Sequence, residues 1–198
     1  MVVSVHVDKQ RIKEIKSQLD ALQNEAPSVI SRSMNRAITA IATSVNKGIR
    51  KEYRVEAASV KKAMKKKNAS AANLSASVQV SGSPIGLNRF KVSPKTVNPK
   101  RRSQLKISVK KTGGGTIPGA FNADVNGIKV MKRTGVVHTA TKGNYAGKRR
   151  EKIERKFGPS VPQMAKNEEI ASAARRRGGE VFEDRLKHEI QRLLGSGS

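Results

Sequence analysis

The spacing of apolar and polar positions changes period three times along this chain. Val2 to Val7 (VVSVHV) is β-branched and partly alternating, which predicts a short first strand. Asp8 follows as a helix N-cap, and Ile12, Ile15, Leu19 and Leu22 then recur at spacings of 3, 4 and 3, the mark of an amphipathic helix. Pro27 and Ser28 open a second helix with the stripe Ile30, Met34, Ala37, Ile38, Ile41, Val45 and Ile49. It runs to Arg50 or Tyr53, with Gly48 as a weak point. Val55 to Met64 reads as a short third helix ending in Lys65, Lys66 and Lys67, cations that suit a helix carboxyl end.

From Leu74 the period becomes two. Leu74, Ala76, Val78 and Val80 point one way, while Ser75, Ser77, Gln79 and Ser81 point the other. After the turn residues Gly82-Ser83-Pro84, further strands are predicted at Arg89 to Val92 and at Gln104 to Lys110 (QLKISVK), with a Pro-containing basic loop, Ser93 to Ser103, between them. Gly113-Gly114-Gly115 breaks the pattern, Ala120 to Ala123 resumes it, and Gly127 turns it into Ile128 to Met131. Lys132 to Arg150 has little apolar matter and much Gly, Thr, Lys and Arg, so it is expected to be a mobile or partner-bound loop. Beyond Pro162 the helical period returns through Ile170, Ala173, Val181, Leu186, Ile190, Leu193 and Leu194, with Gly178-Gly179 expected to interrupt the helix. The pattern therefore predicts an α+β fold, a central antiparallel β-sheet flanked by N-terminal helices and a C-terminal helix, with long basic loops. One domain over residues 1–194 is expected, comprising a helix-plus-sheet core (28–131), a basic loop (132–156) and a C-terminal helical segment (157–194). Residues 195–198 (GSGS) form a linker-like tail, and no internal repeat is visible.

Charge changes this picture more than composition does. The 198 residues hold 41 Lys and Arg against 15 Asp and Glu, a net charge of +26. From Ala57 to Arg150, 94 residues, the only acid is Asp124 among 21 Lys and Arg. That is too lopsided for interspersed solubility charges, and a domain so charged repels itself unless a partner surface neutralises it. Nucleic acid, a membrane surface and an acidic protein assembly all meet that need. No apolar run approaches the length of a membrane span, and the amino terminus has its apolar run before its charges, the reverse of a secretory signal. A soluble protein of the cytoplasm, or of something assembled there, is expected.

Candidate chemistry is sparse. With no Cys there is no disulfide, thiolate metal site or Cys nucleophile. His6, His138 and His188 lie on separate elements, and His188-Glu189 is not followed by a second His. A metal-dependent nuclease needs clustered carboxylates, and Asp124 is alone in the basic middle. Gly143 to Arg149 (GNYAGKR) has three residues between its glycines where a P-loop has four, and it lacks the Ser or Thr for magnesium. Gly113 to Gly119 (GGGTIPG) lacks the lysine, and Ser83, Ser103 and Ser160 have no GxSxG context. The reading is a non-enzyme without cofactor. Four Phe and two Tyr cannot build a base-stacking platform. What remains is sequence-independent phosphate contact, for which the loop residues Lys95, Lys100, Arg101, Arg102, Lys148, Arg149 and Arg150 are the candidates.

Three segments, in order, are similar to those of a known family. Tyr53-Arg54-Val55, Val60 to Lys65, Leu74-Ser75-Ala76 and Ser81 to Ile85 form the first. The second is Phe90 to Pro94 with Val109-Lys110-Lys111 and Ile117-Pro118-Gly119-Ala120-Phe121, and the third is Phe157-Gly158-Pro159-Ser160-Val161-Pro162-Gln163-Met164 ahead of a helix ending His188 to Leu194. Together, from about Ser28 to Leu194, they resemble the minor tail protein Z family of tailed bacteriophages and prophages. The resemblance implies a structural virion protein that completes the head-proximal end of the tail and forms part of the neck joining tail to head around the DNA channel. It would be assembled in the bacterial host cytoplasm as a ring, hexameric from tail symmetry or dodecameric at the connector. Tail terminator or tail tube proteins, head–tail connector proteins and the end of the packaged DNA are the implied partners, and no membrane is. Ile117, Pro118, Gly119, Phe121, Gly158, Pro159, Ser160, Pro162, Gln163 and Met164 are the implied assembly residues. Phe157 to Met164 also reads as a rigid loop into the last helix, and Ile117 to Phe121 as a strand start. A non-enzymatic nucleic-acid binder, associated with ribosome or nucleoid, explains the charge equally well but not the ordered segments.

Overall fold

The computed structural model describes residues 2–7 and 9–195. Asp8, expected as a cap, and residues 196–198 lie outside the described residues, as does the side chain of Leu22. The class is α+β, with five α-helices and nine strands among the described residues. The strands, expected in one central sheet, are divided among three antiparallel three-stranded sheets. The chain gathers into two compact units, residues 1–50, 56–82 and 161–198 in the first and 51–55 and 83–160 in the second.

The first unit is mostly helical. Strand β1 (Val2–His6) leads into α1 (Lys9–Leu19), a 3-10 segment (Asp20–Glu25) and α2 (Ala26–Glu52). The predicted stripe of α2, Ile30 through Ile49, is buried along its whole length, with six of its seven residues wholly inaccessible and Ile41 2% exposed. Next come α3 (Ala57–Lys62), β2 (Met64–Lys67) and β3 (Ser75–Val80). The three lysines expected to end a helix instead belong to β2, whose Lys65, Lys66 and Lys67 pair with Gln79, Val78 and Ser77. With only Met64 half-buried and three exposed cations after it, β2 has no alternating apolar face to betray it. It is an edge strand in the order β1-β3-β2, and lysines on an edge discourage further pairing.

Helices α4 (Val161–Ala165) and α5 (Glu168–Gly195) complete this unit. The expected break at Gly178-Gly179 does not occur. A Cβ on Gly178 would lie 2.6 Å from Cδ1 of Ile41, so the glycine is where α5 packs on α2. Gly48 faces Ile170 in the same way, and Arg32 meets Glu189. Residue numbers fall on α5 as they rise on α2, so the two helices run antiparallel. The buried face of α5 is Ile170, Ala171, Ala174, Gly178, Phe182, Leu186, Glu189 and Ile190, while Ala173 and Leu194, expected inside, are exposed. Small residues and one carboxylate occupy that face, so a stripe drawn only from large apolar residues misplaces it.

Apart from the last two residues of α2, the second unit is strand, turn and loop: a 3-10 turn (Leu87–Arg89), β4 (Lys91–Ser93), β5 (Lys106–Ser108), β6 (Gly115–Thr116), β7 (Ala120–Asp124), β8 (Ile128–Thr139), a 3-10 turn (Gly143–Tyr145) and β9 (Arg149–Arg155). Its core is small: Leu87, Phe90, Val92, Leu105, Ile107 and Val130, with Ile85, Val109 and Ile117 partly buried against it. The loop expected at Lys132 to Arg150 is instead most of an antiparallel ribbon, β8 paired with β9 from Met131↔Arg155 out to Thr139↔Arg149. Val136 to Thr139 and Arg149-Arg150 are exposed residue after residue, so the ribbon has no buried face and no period-two signal. Backbone pairing holds it, together with stitches at a bulge. Gly135, at φ +81°, donates its N–H to Glu151 Oε1 at 2.7 Å, and Thr134 donates its hydroxyl to the Lys152 carbonyl at 3.1 Å.

Candidate partner and nucleic-acid interface

The units differ in charge as in architecture. The strand unit carries 21 Lys and Arg against four Asp and Glu, +17 in 83 residues, and the helical unit 20 against 11, +9 in 115. In the strand unit two of the four acids, Glu151 and Glu154, sit at the root of the ribbon. There Arg133 lies 3.8 Å from Glu151, and Lys152 and Lys156 lie 3.7 and 3.9 Å from Glu154. From Thr134 to Arg150 there is no acid at all, against Lys142, Lys148, Arg149 and Arg150. The outer ribbon is thus a projecting cationic arm.

Its tip is ordered by its own backbone. Ala140 N–H donates to the Lys148 carbonyl at 3.0 Å and Gly147 N–H to the Ala140 carbonyl at 2.8 Å, while Gly143 and Gly147 take positive φ. Arg150 lies over the Tyr145 ring, 3.7 Å from its centroid, a cation–π contact that holds one guanidinium flat on an exposed aromatic. Tyr145 is 51% exposed, and Val136 and Val137 are 59% and 51% exposed. Exposed apolar side chains beside cations are the composition of a surface that a partner can cover. The strand at Lys132 to Arg150 and the Tyr145–Arg150 stack escaped the sequence reading. Tyr145, the one aromatic between Phe121 and Phe157 and five residues before an arginine, was the available sign.

The other candidate cations occupy the segment joining β4 to β5. Lys95, Lys100 and Arg102 are exposed there. Arg101 is different: its guanidinium donates to the Ser103 carbonyl (2.8 Å), the Ser103 hydroxyl (3.0 Å) and the Gln104 carbonyl (3.0 Å). It shapes this loop from within, leaving its three neighbours to face outward. Asn122 anchors the same loop from β7 by donating to the carbonyls of Pro94 and Thr96 at 2.9 and 3.1 Å.

The family-like segments have local explanations. Ile117-Pro118-Gly119-Ala120 is a β-turn closed by Ala120 N–H to the Ile117 carbonyl at 3.1 Å, with Pro second and Gly119 third at φ +70°, the residues a type II turn requires. Ile117 packs on the core, Pro118 is exposed, and Phe121 lies half-buried with Arg133 5.6 Å from its ring centroid. Gly158 sits so close to Phe90 that a Cβ would be 2.8 Å from the ring, and its N–H donates to the Ile85 carbonyl at 2.7 Å. Half-buried Pro159 leads to Ser160, buried immediately before α4, and Met164 is wholly buried, while Gln163 is exposed and Pro162 half-buried. Most of these residues therefore set turns and packing, which is ample reason for their types.

Among the described residues no three His, Cys, Asp or Glu come together to hold a metal ion. His138 is exposed on β8 opposite Arg150, and His188 is exposed on α5. No helix among these residues is long and apolar enough to cross a membrane.

Comparison with curated proteins and with solved structures gives no match. The sequence model of the family described as prophage minor tail protein Z (GPZ) matches residues 11–195, from the first turn of α1 through α5 and across both units. On that match, with the α+β fold beneath it, the chain belongs to the prophage minor tail protein Z family.

Proposed function

We propose that this structural protein of the phage tail completes the head-proximal end of the tail, in a neck that joins tail to head around the DNA channel. The observation that carries this reading is the outer ribbon from Thr134 to Arg150, four cations and no acid on a projecting arm. The loop bearing Lys95, Lys100 and Arg102 adds three more outward cations. In a ring with the six-fold symmetry of a tail, or the twelve-fold symmetry of a connector, strand units at +17 each would form a strongly positive collar. Phosphates of DNA passing through, or acidic faces of terminator, tube and connector proteins above and below, would neutralise it.

The test is charge reversal on the arm, Lys148→Glu with Arg149→Glu, in a phage carrying this protein. These side chains are exposed and hold nothing in the core, so the variant should fold with an unchanged melting temperature. Heads and tails should then accumulate unjoined. Normal infectious particles from the variant would overturn the reading, as would labelling of the protein anywhere but the head-proximal end of the tail.

A further inference from the structure

A second cationic cluster lies in the helical unit. Arg32, Asn35, Arg36 and Thr39 fall at i, i+3, i+4 and i+7 on α2, one stripe of one face. With Arg185 of α5 they line a cleft of about 460 Å³. Beside it is Glu189, 1% exposed, whose carboxylate takes Arg185 Nη2 at 2.6 Å, Arg192 Nη2 at 3.1 Å and Arg32 Nη1 at 3.3 Å. One carboxylate thus faces three guanidiniums and balances only one of them.

The rest of the cleft adds to the imbalance. Arg36, four residues beyond Arg32 on the same face, has no acidic partner among the described residues, and like charges at that spacing repel. Lys66 reaches across from β2 to donate to the Thr39 hydroxyl at 3.3 Å. The other arginines of α5 are matched with acids: Arg175 with Glu168, and Arg176 and Arg177 with Glu180. What sets this cluster apart is the third arginine, Arg32, brought to Glu189 from α2.

It is also preorganised. Glu189 holds Arg32 and Arg185 from within, while their side chains remain 52% and 41% exposed. Asn35 is locked in place, donating to the Ala69 carbonyl at 2.9 Å and accepting from its N–H at 2.7 Å. Converging guanidiniums with donors turned outward match the oxygens of a phosphate. We propose that this cleft binds phosphate groups, held by Arg32, Arg36 and Arg185 with the Thr39 hydroxyl and Lys66 at the rim. The same chemistry is offered by a nucleic-acid backbone and by a free oligophosphate. The site does not depend on the neck assignment.

The experiment is calorimetric titration of the full chain with inorganic tripolyphosphate at fixed salt, wild type against Arg36→Gln, with Arg102→Gln as the control in the strand unit. Arg36 is exposed, so the variant keeps the fold, which an unchanged melting temperature without ligand verifies. One saturable site per chain is expected, weakened about tenfold by Arg36→Gln and untouched by Arg102→Gln. No saturable binding, or equal loss in both variants, overturns the proposal. A parallel titration with a short DNA duplex separates the sources. Weakening by Arg36→Gln and competition by tripolyphosphate identify the backbone as the ligand, and DNA binding indifferent to both identifies a free oligophosphate.

Discussion

The helical and strand units balance charge in opposite ways. In the helical unit basic side chains are drawn into the structure. Arg11 pairs with Glu14 and Glu183 at 2.9 and 2.8 Å, and Arg32, Arg185 and Arg192 close on a carboxylate that is 1% exposed. In the strand unit two of the four acids, Glu151 and Glu154, stay at the ribbon root, and the stretch from Thr134 to Arg150 holds four Lys and Arg and no acid. A buried carboxylate among arginines is bound up with packing, because removing it leaves guanidiniums confronting one another. Of the four cations on the solvated arm, Arg150 stacks on Tyr145, while Lys142, Lys148 and Arg149 are exposed. The contrast separates charges that are paired at a buried group from charges that stand in solvent.

The largest test of that division is Glu189→Gln. It should cost about 2–4 kcal/mol of stability, read by denaturant unfolding, since three arginines lose their shared counter-charge at a desolvated site. Glu154→Gln, which loosens two exposed pairs at 3.7 and 3.9 Å, should stay within about 0.5 kcal/mol. Comparable costs would erase the distinction between the units. The pH dependence follows from the same group. Burial pushes the Glu189 carboxyl upward, but hydrogen bonds from Arg32 and Arg192 and the charges of Arg185 and Arg192 outweigh it and hold the group below its ordinary 4.5. Its stabilisation is therefore complete above that ordinary value and is lost as the pH falls through the depressed one. Acid unfolding of the wild type should be steeper than that of Glu189→Gln, and parallel curves would contradict the assignment.

Two adjacent glycines give the next effect. Gly178→Ala gains helix propensity but drives a methyl to 2.6 Å from the buried Ile41 side chain, for a net loss of about 1–2 kcal/mol. Gly179→Ala meets nothing within 4 Å and should gain about 0.5–1 kcal/mol. Melting temperatures moving the same way in both variants would show that α5 is not seated on Ile41. The smallest stability effect belongs to the arm. Replacing residues 138–150 by Asn-Gly joins Val137 to its partner Glu151 through a tight turn and removes no buried side chain. Stability should change by less than about 0.5 kcal/mol. DNA affinity should lose roughly three to four units of salt slope as Lys142, Lys148, Arg149 and Arg150 go. An unchanged slope would remove the arm from any phosphate contact.

Much of this architecture is written in one-dimensional pattern. The stripe of α2 recurs every three or four residues because one helix face is buried along its length, and Ala76, Val78 and Val80 alternate because one face of β3 is buried. The Pro118-Gly119 turn and the imbalance of charge in the middle of the chain also follow from residue types alone. Pattern records burial, however, and it is silent where structure forms without it. β2 and the outer ribbon are held by backbone pairing with both faces wet, so neither leaves a period to read. Gly178 breaks helices by propensity, and only the approach of Ile41 makes it the residue that α5 needs there. Arg101 and Arg102 are neighbours of the same type, yet one is bonded into its loop and the other faces solvent. Glu189 looks like one more solvated acid on a helix until Arg32, 157 residues earlier, is brought against it. The sequence by itself determined the stripe of α2, the α+β class and the sign of the net charge. Tertiary structure alone decided which charges meet, because that depends on contacts between residues far apart in the chain.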